Sequence, residues 1–207
     1  MHIISRITVL VLAVALAGPV LATDRIVREH RFDATNVGFV DISAAVGRVE
    51  VRAIEGDEIR VRLDIEGKRS GLLRRRAEVS KLDLTANLAD GRLELAFRDD
   101  EATADWIVEL PHRPAMRIDV GVGDLDVHLA GGDLAVKVGV GAVALRMPLA
   151  RTGSVQASAG IGSASIDGAA QNERSRALVA EKASATGQGS ASLTATVGIG
   201  DITIRLE

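Results

Sequence analysis

A glycine followed by two apolar residues with one residue between them recurs eleven times from Gly38 to Gly200, and this pulse limits the fold more than any other feature. The first copies are Gly38-Phe39-Val40-Asp41-Ile42 and Gly47-Arg48-Val49-Glu50-Val51, followed by Gly56, which carries one extra residue before its apolar pair. After Gly91 come Gly123, Gly132, Gly141, Gly153 and Gly162, at steps of 9, 9, 12 and 9 residues, and then Gly189 and Gly200. Alternation of period two places Leu125 and Val127 on one face and Asp124 and Asp126 on the other, which a half-buried strand requires and a helix cannot reproduce. Each pulse therefore reads as a short strand that starts at a residue able to take positive φ at low steric cost.

The residues before some of these glycines give the turn its character. Val120 and Val122 have even parity, while Leu125 and Val127 have odd parity, and the same change occurs from Val138 and Val140 to Val143 and Leu145, and from Val197 and Ile199 to Ile202 and Ile204. A flip of parity at a glycine is what a chain needs to round a corner with the same side facing inward. Every second pulse, at Gly123, Gly141, Gly162 and Gly200, predicts a coil of about 19 residues per turn, its strands stacked in parallel at about 4.8 Å. The expected fold is all-β, a parallel β-solenoid or β-helix-like coil of short Gly-initiated strands. An antiparallel β-sandwich is the alternative, since strands spaced by nine residues also suit hairpins. The small inward residues Ala157, Ala164 and Ala191 predict an interior that narrows toward the C-terminus.

Two stretches break the rhythm. Gly67 to Leu82 holds Lys68, Arg69, Arg74, Arg75, Arg76 and Lys81 around Leu72 and Leu73, and reads as a short helix or an exposed, solvated excursion. Ala169 to Thr186 is Ala-rich and polar, and reads as a degenerate turn through Ala177 and Val179 or as a helix looping out.

At the N-terminus, Arg6 precedes the apolar run Ile7 to Ala17, and Gly18, Pro19, Val20, Leu21 and Ala22 follow. This is the three-part pattern of an export signal, and its 11-residue apolar run is shorter than the roughly 20 residues a spanning helix needs. Cleavage is expected after Ala22, so residues 1–22 are a signal peptide and residues 23–207 a single domain without an integral membrane segment. An exported location, periplasmic or secreted, follows.

Composition removes several functional classes. The 207 residues carry 25 Lys plus Arg against 28 Asp plus Glu, a formal charge of -3, so no nucleic-acid partner is implied. Three Phe, one Trp and no Tyr leave few flat platforms for bases or sugars. No Cys means no disulfide, no thiolate metal site and no cysteine nucleophile.

From Trp106-Ile107-Val108-Glu109-Leu110-Pro111 into Met116-Arg117-Ile118-Asp119-Val120-Gly121-Val122-Gly123-Asp124-Leu125-Asp126-Val127, the chain resembles the putative adhesin domain family. This is a bacterial β-strand-repeat domain of unknown function, also described as toast-rack-like, and the likeness runs from about Val37 to Leu206. It implies an exported, mostly β, coil-like domain and transfers no catalytic residue.

The residues themselves offer little catalytic chemistry. His2 belongs to the signal, and His30, His112 and His128 stand singly, without a second His at ligand spacing. Asp124, Asp126, Asp133 and Asp201 form the sharpest cluster, since carboxylates on successive turns could make a ladder for calcium. The ladder stops after two or three rungs, where Ala142, Ala144, Ser154, Ser163, Ser165 and Ser190 take the equivalent positions. Turn-forming Asp is the simpler reading. Ser154, Ser163 and Ser190 occupy repeat positions outside any Gly-x-Ser-x-Gly elbow. Gly121-Val122-Gly123 and Gly187-Gln188-Gly189 each match only half a phosphate-binding fingerprint. No catalytic, cofactor-binding or metal-binding residue is assigned and no cofactor is expected. The expected function is a non-catalytic, adhesin-like envelope or secreted scaffold whose partners are other envelope proteins or surface glycans. A polysaccharide-active enzyme and a calcium-dependent adhesin are the alternatives.

Overall fold

The computed structural model describes residues 24–70, 75–76, 78–111, 114–169, 172–177 and 180–207. The expected signal sequence and cleavage site, Leu72, Leu73, His112 and Val179 lie outside the described residues. In chain order the strands are β1 (Arg25–Asp33), β2 (Phe39–Val46), β3 (Val49–Ile54), β4 (Glu58–Gly67), β5 (Arg69–Ser70), β6 (Arg75–Arg76), β7 (Thr85–Ala89), β8 (Arg92–Phe97) and β9 (Ala102–Pro111). They continue as β10 (Ala115–Val122), β11 (Leu125–His128), β12 (Leu134–Val140), β13 (Val143–Met147), β14 (Thr152–Ile161) and β15 (Ala164–Asp167). The last four are β16 (Asn172–Ala177), β17 (Ala180–Thr186), β18 (Ala191–Ile199) and β19 (Ile202–Leu206). Among the described residues one 3-10 turn, Leu149–Arg151, is the sole helical element, and no helix is long and apolar enough to cross a membrane.

The strands form two mixed sheets, neither closed on itself. One has eight strands in the order β1-β4-β9-β3-β11-β13-β19-β15, and the other nine in the order β16-β17-β14-β18-β12-β10-β2-β8-β7. Six segments run from a strand of the larger sheet into a strand of the smaller: β8 into β9, β2 into β3, β10 into β11, β12 into β13, β18 into β19 and β14 into β15. These units stack in parallel in that spatial order. The parallel stacking expected from the pulses is present, but the chain does not wind through it in order. The β18-β19 unit sits between β12-β13 and β14-β15, because the antiparallel pair β16-β17 occupies the far flank of β14. The degenerate turn or looping helix expected there is replaced by this pair. At the other end β1 and β4 add antiparallel strands beside β9, and β7 does so beside β8.

Inward residues of both sheets merge into one apolar core. Across the larger sheet the buried row Leu95, Ile42, Ile118, Val136, Ala195, Ala157, Ala183 loses side-chain volume from β8 to β17, so the filling shrinks toward the β16-β17 pair. The basic excursion contributes the short strand pair β5-β6 in place of a helix among the described residues, and its continuation closes one end of the core. Val79 is fully buried there, with Leu82 and Leu84 packed against the cluster. The Arg28 guanidinium donates to the carbonyls of Leu82 at 3.0 Å and Ser80 at 2.6 Å, and His30 lies 2.8 Å from Asp83.

Candidate functional site

The corner glycines fall into one column. Gly47, Gly123, Gly141, Gly200 and Gly162 have φ between 136° and 148°. A Cβ on Gly123 would lie 1.9 Å from the carbonyl oxygen of Gly47, and one on Gly141 would lie 1.9 Å from that of Gly123. No L side chain fits such a contact, so stacking and conformation both select glycine. The other pulse glycines share no single conformation: Gly91 and Gly132, before β8 and β12 of the larger sheet, have φ of 73° and 96°, Gly56, before β4 of the smaller sheet, has 114°, and Gly38, Gly153 and Gly189 do not have positive φ. The pulse thus contains more than one kind of start, where the sequence reading expected one, and the close-packed corner is confined to the column.

The parity argument needs one correction at this corner. Val120, Val138 and Val197 are buried as expected, but Val122, Val140 and Ile199 stand outside the core at 49%, 43% and 50% exposure, with Ile161 at 52%. The last two residues of each of these strands are exposed together, so these side chains form an exposed aliphatic ridge in register across neighbouring strands.

Counting from the corner glycine, positions one, three and five point outward on the smaller sheet. The first row is Arg48, Asp124, Ala142, Asp201 and Ser163, and it explains most of the Asp cluster. The Asp124 carboxylate accepts the backbone N–H of Ala142 at 3.0 Å, and Asp201 accepts that of Ser163 at 2.9 Å and its hydroxyl at 2.6 Å. Asp105 does the same for the N–H of Arg48 at 2.8 Å. Past the corner this N–H would otherwise lack an acceptor. Asp133 accepts the N–H of Ser192 at 2.8 Å, and Asp126 lies 3.4 Å from Arg146. The four carboxylates are therefore engaged separately, and among the described residues no three His, Asp or Glu side chains gather as metal ligands.

The remaining candidates also separate. His30 pairs with Asp83 on β1, and His128 is exposed on β11. Ser154 donates to Ser192 at 3.2 Å. Ser190 lies in the bend before β18. Gly187 and Gly189 press against the backbone of residues 151–153, where the N–H of Gly189 donates to the carbonyl of Thr152 at 2.9 Å. Gly121 belongs to a second close-packed column, its Cβ position 2.5 Å from the carbonyl oxygen of Ala45. These half-fingerprints are places of backbone approach.

The fifth position holds a grouping that the sequence reading missed. Arg52, His128, Arg146 and Arg205 occupy it on β3, β11, β13 and β19, in direct register, with Glu109 and Asp167 at the two ends of the row. They are 52, 128, 146 and 205 in the chain, so no local window shows a basic run; alignment on the corner glycine would have shown it. Arg52 pairs with Glu50 at 2.5 Å, and Arg205 makes no ion pair with a described residue. Beside this row the side chains of Ala142 and Ala144 leave a shallow depression of about 430 Å³ edged by Glu50, Asp124, Asp126 and Asp201. The outer face of the larger sheet carries a second depression, of about 360 Å³, lined by Gln156, Ser158, Lys182, Ser184, Thr194 and Thr196.

No family model matches the chain, and no curated protein matches it. Among solved structures, a putative cell adhesion protein from Clostridium sporogenes ATCC 15579 aligns over 88% of this chain and 100% of that chain, at 13% identity and a TM-score of 0.54. A putative adhesin from Parabacteroides distasonis ATCC 8503 aligns over 86% of this chain and 70% of that chain, at 10% identity and a TM-score of 0.32. The likeness to the Clostridium protein is close enough to show a shared fold.

Proposed function

We propose that this chain is an exported, non-catalytic interaction scaffold, with residues 1–22 removed and residues 23–207 acting as one domain. The parallel units at its centre serve as a short solenoid-like spine, and the antiparallel strands at either end act as caps. The observation that carries the reading is the division of labour between faces. Inward positions fill a single core, while outward positions repeat in register and form two broad polar surfaces suited to lateral contact. The corner carboxylates are occupied in holding neighbouring strands together, which leaves them poorly placed for acid-base work. The shared fold with the putative cell adhesion protein of Clostridium supports an adhesin-like role, and the partners we propose are envelope proteins or surface glycans.

The test has two parts. Expression of the full chain in a bacterial host should yield an exported product whose N-terminus is Thr23, and that product should capture a component of the native envelope in a pull-down. A chain retained with Met1 intact, or turnover of envelope glycans by the purified protein, would replace this reading.

A further inference from the structure

We infer that the row Arg52, His128, Arg146 and Arg205 is a binding rail for a linear acidic polysaccharide carrying one carboxylate per sugar ring. The inference rests on the proposal that the exposed faces serve contact, and it names the partner class for one of them. Four consecutive strands of a parallel stack present these side chains from the same repeat position, so they lie about 4.8 Å apart along the stack axis. That step is comparable to the advance of one pyranose ring along an extended glycan, and because successive rings are turned about the chain axis, the carboxylates on the side facing the rail meet alternate strands. A bidentate guanidinium–carboxylate pair is the natural contact for Arg146 and Arg205, while Arg52 already holds Glu50 through Nε at 2.7 Å and adds positive charge to the row.

The existing ion pairs do not block this. Arg146 and Asp126 lie 3.4 Å apart with side chains 37% and 45% exposed, a contact that solvent weakens and an incoming carboxylate can replace. Arg205 makes no ion pair with a described residue, and its neighbours one repeat position back are the short Ala144 and Thr203, which leave the rail open on that side. A nucleic acid fits less well. The rail includes no Phe, Tyr or Trp, His128 being its single ring, and Glu50 and Asp126 run beside it, where a denser duplex phosphate backbone would be repelled.

The experiment is titration of the purified full chain with polygalacturonate at low and at physiological salt, followed by calorimetry. Binding is expected at low salt and should weaken as salt is raised. The double variant Arg146→Gln, Arg205→Gln should lose at least tenfold in affinity with its melting temperature unchanged. Arg117→Gln, Lys137→Gln, the same charge change on the outer face of the other sheet, should stay within twofold. Neutral dextran should not bind. Absence of polygalacturonate binding at low salt, an equal loss in both double variants, or equal affinity for double-stranded DNA would each overturn the rail. If the native-envelope pull-down still succeeds in that case, the rail alone has failed and the scaffold reading stands.

Discussion

Asp201 and Ser163 are 38 positions apart in the chain, yet one carboxylate oxygen of Asp201 accepts both the backbone N–H and the hydroxyl of Ser163. The contact joins β19 to β15 across the corner column, and its chemistry makes it pH-dependent. The Ser163 hydroxyl, and after it the backbone N–H, hold the Asp201 carboxyl below its ordinary value of 3.8. The stabilisation is therefore complete above the unfolded-state value and is lost as pH falls through the lower folded-state value. Asp201→Ala should melt below wild type at neutral pH, and the gap should close in acid as the wild-type carboxylate protonates. Thermal melts from pH 7 to pH 2 check this, and a gap that stays constant would dissociate the stabilisation from the carboxylate.

The glycine column makes a steric prediction. Gly141 and Gly56 both have positive φ, 148° and 114°, but a Cβ on Gly141 would strike the carbonyl of Gly123, while one on Gly56 would meet nothing within 4 Å. Backbone strain of about 1–3 kcal/mol applies to both. Only Gly141→Ala adds a collision with backbone that cannot move without displacing the next strand. Its unfolding free energy, measured in urea, should fall well below that of Gly56→Ala. Equal values would mean that the column is not close-packed.

How much of this was legible in the sequence depends on distance along the chain. Alternation and the corner at Gly123, Gly141 and Gly200 depend on residues two to five positions apart, and local periodicity reports them directly. The stacking order depends on which unit lies beside which, and nothing near Gly200 says that β19 lies between β13 and β15. That order follows from the β16-β17 pair taking the flank of β14, a competition among edges that local pattern does not encode. The same applies to the rail. Arg52 and His128 are adjacent because β3 and β11 pair, and their nearness is a property of the stack.

The ridge gives the corner a second test. Val120 is 3% exposed and Val122 is 49% exposed, although parity alone puts both inside. Val120→Ser should cost about 2–4 kcal/mol, from lost apolar burial and a poorly satisfied hydroxyl. Val122→Ser should change stability by no more than about 0.5 kcal/mol. Chemical denaturation of the two variants separates the cases, and similar losses would return Val122 to the core.

Trp106 supplies a built-in probe, since it is the single Trp and there is no Tyr. It is 1% exposed, between Val49 of β3 and Leu63 of β4, and among the described residues its Nε1 finds no acceptor. Native emission should therefore be blue-shifted and resistant to acrylamide, with both properties lost in one step on unfolding. The orphaned N–H also shapes the mutational response. Trp106→Ala should cost about 3–5 kcal/mol through the cavity it leaves. Trp106→Phe keeps most of the ring volume and removes a donor whose burial alone costs roughly 1–3 kcal/mol, so its net cost should be much smaller. Urea unfolding followed by circular dichroism measures both variants without the fluorophore. A Phe variant as unstable as the Ala variant would mean that the indole N–H is satisfied in solution, and native fluorescence quenched like free indole would remove Trp106 from the core.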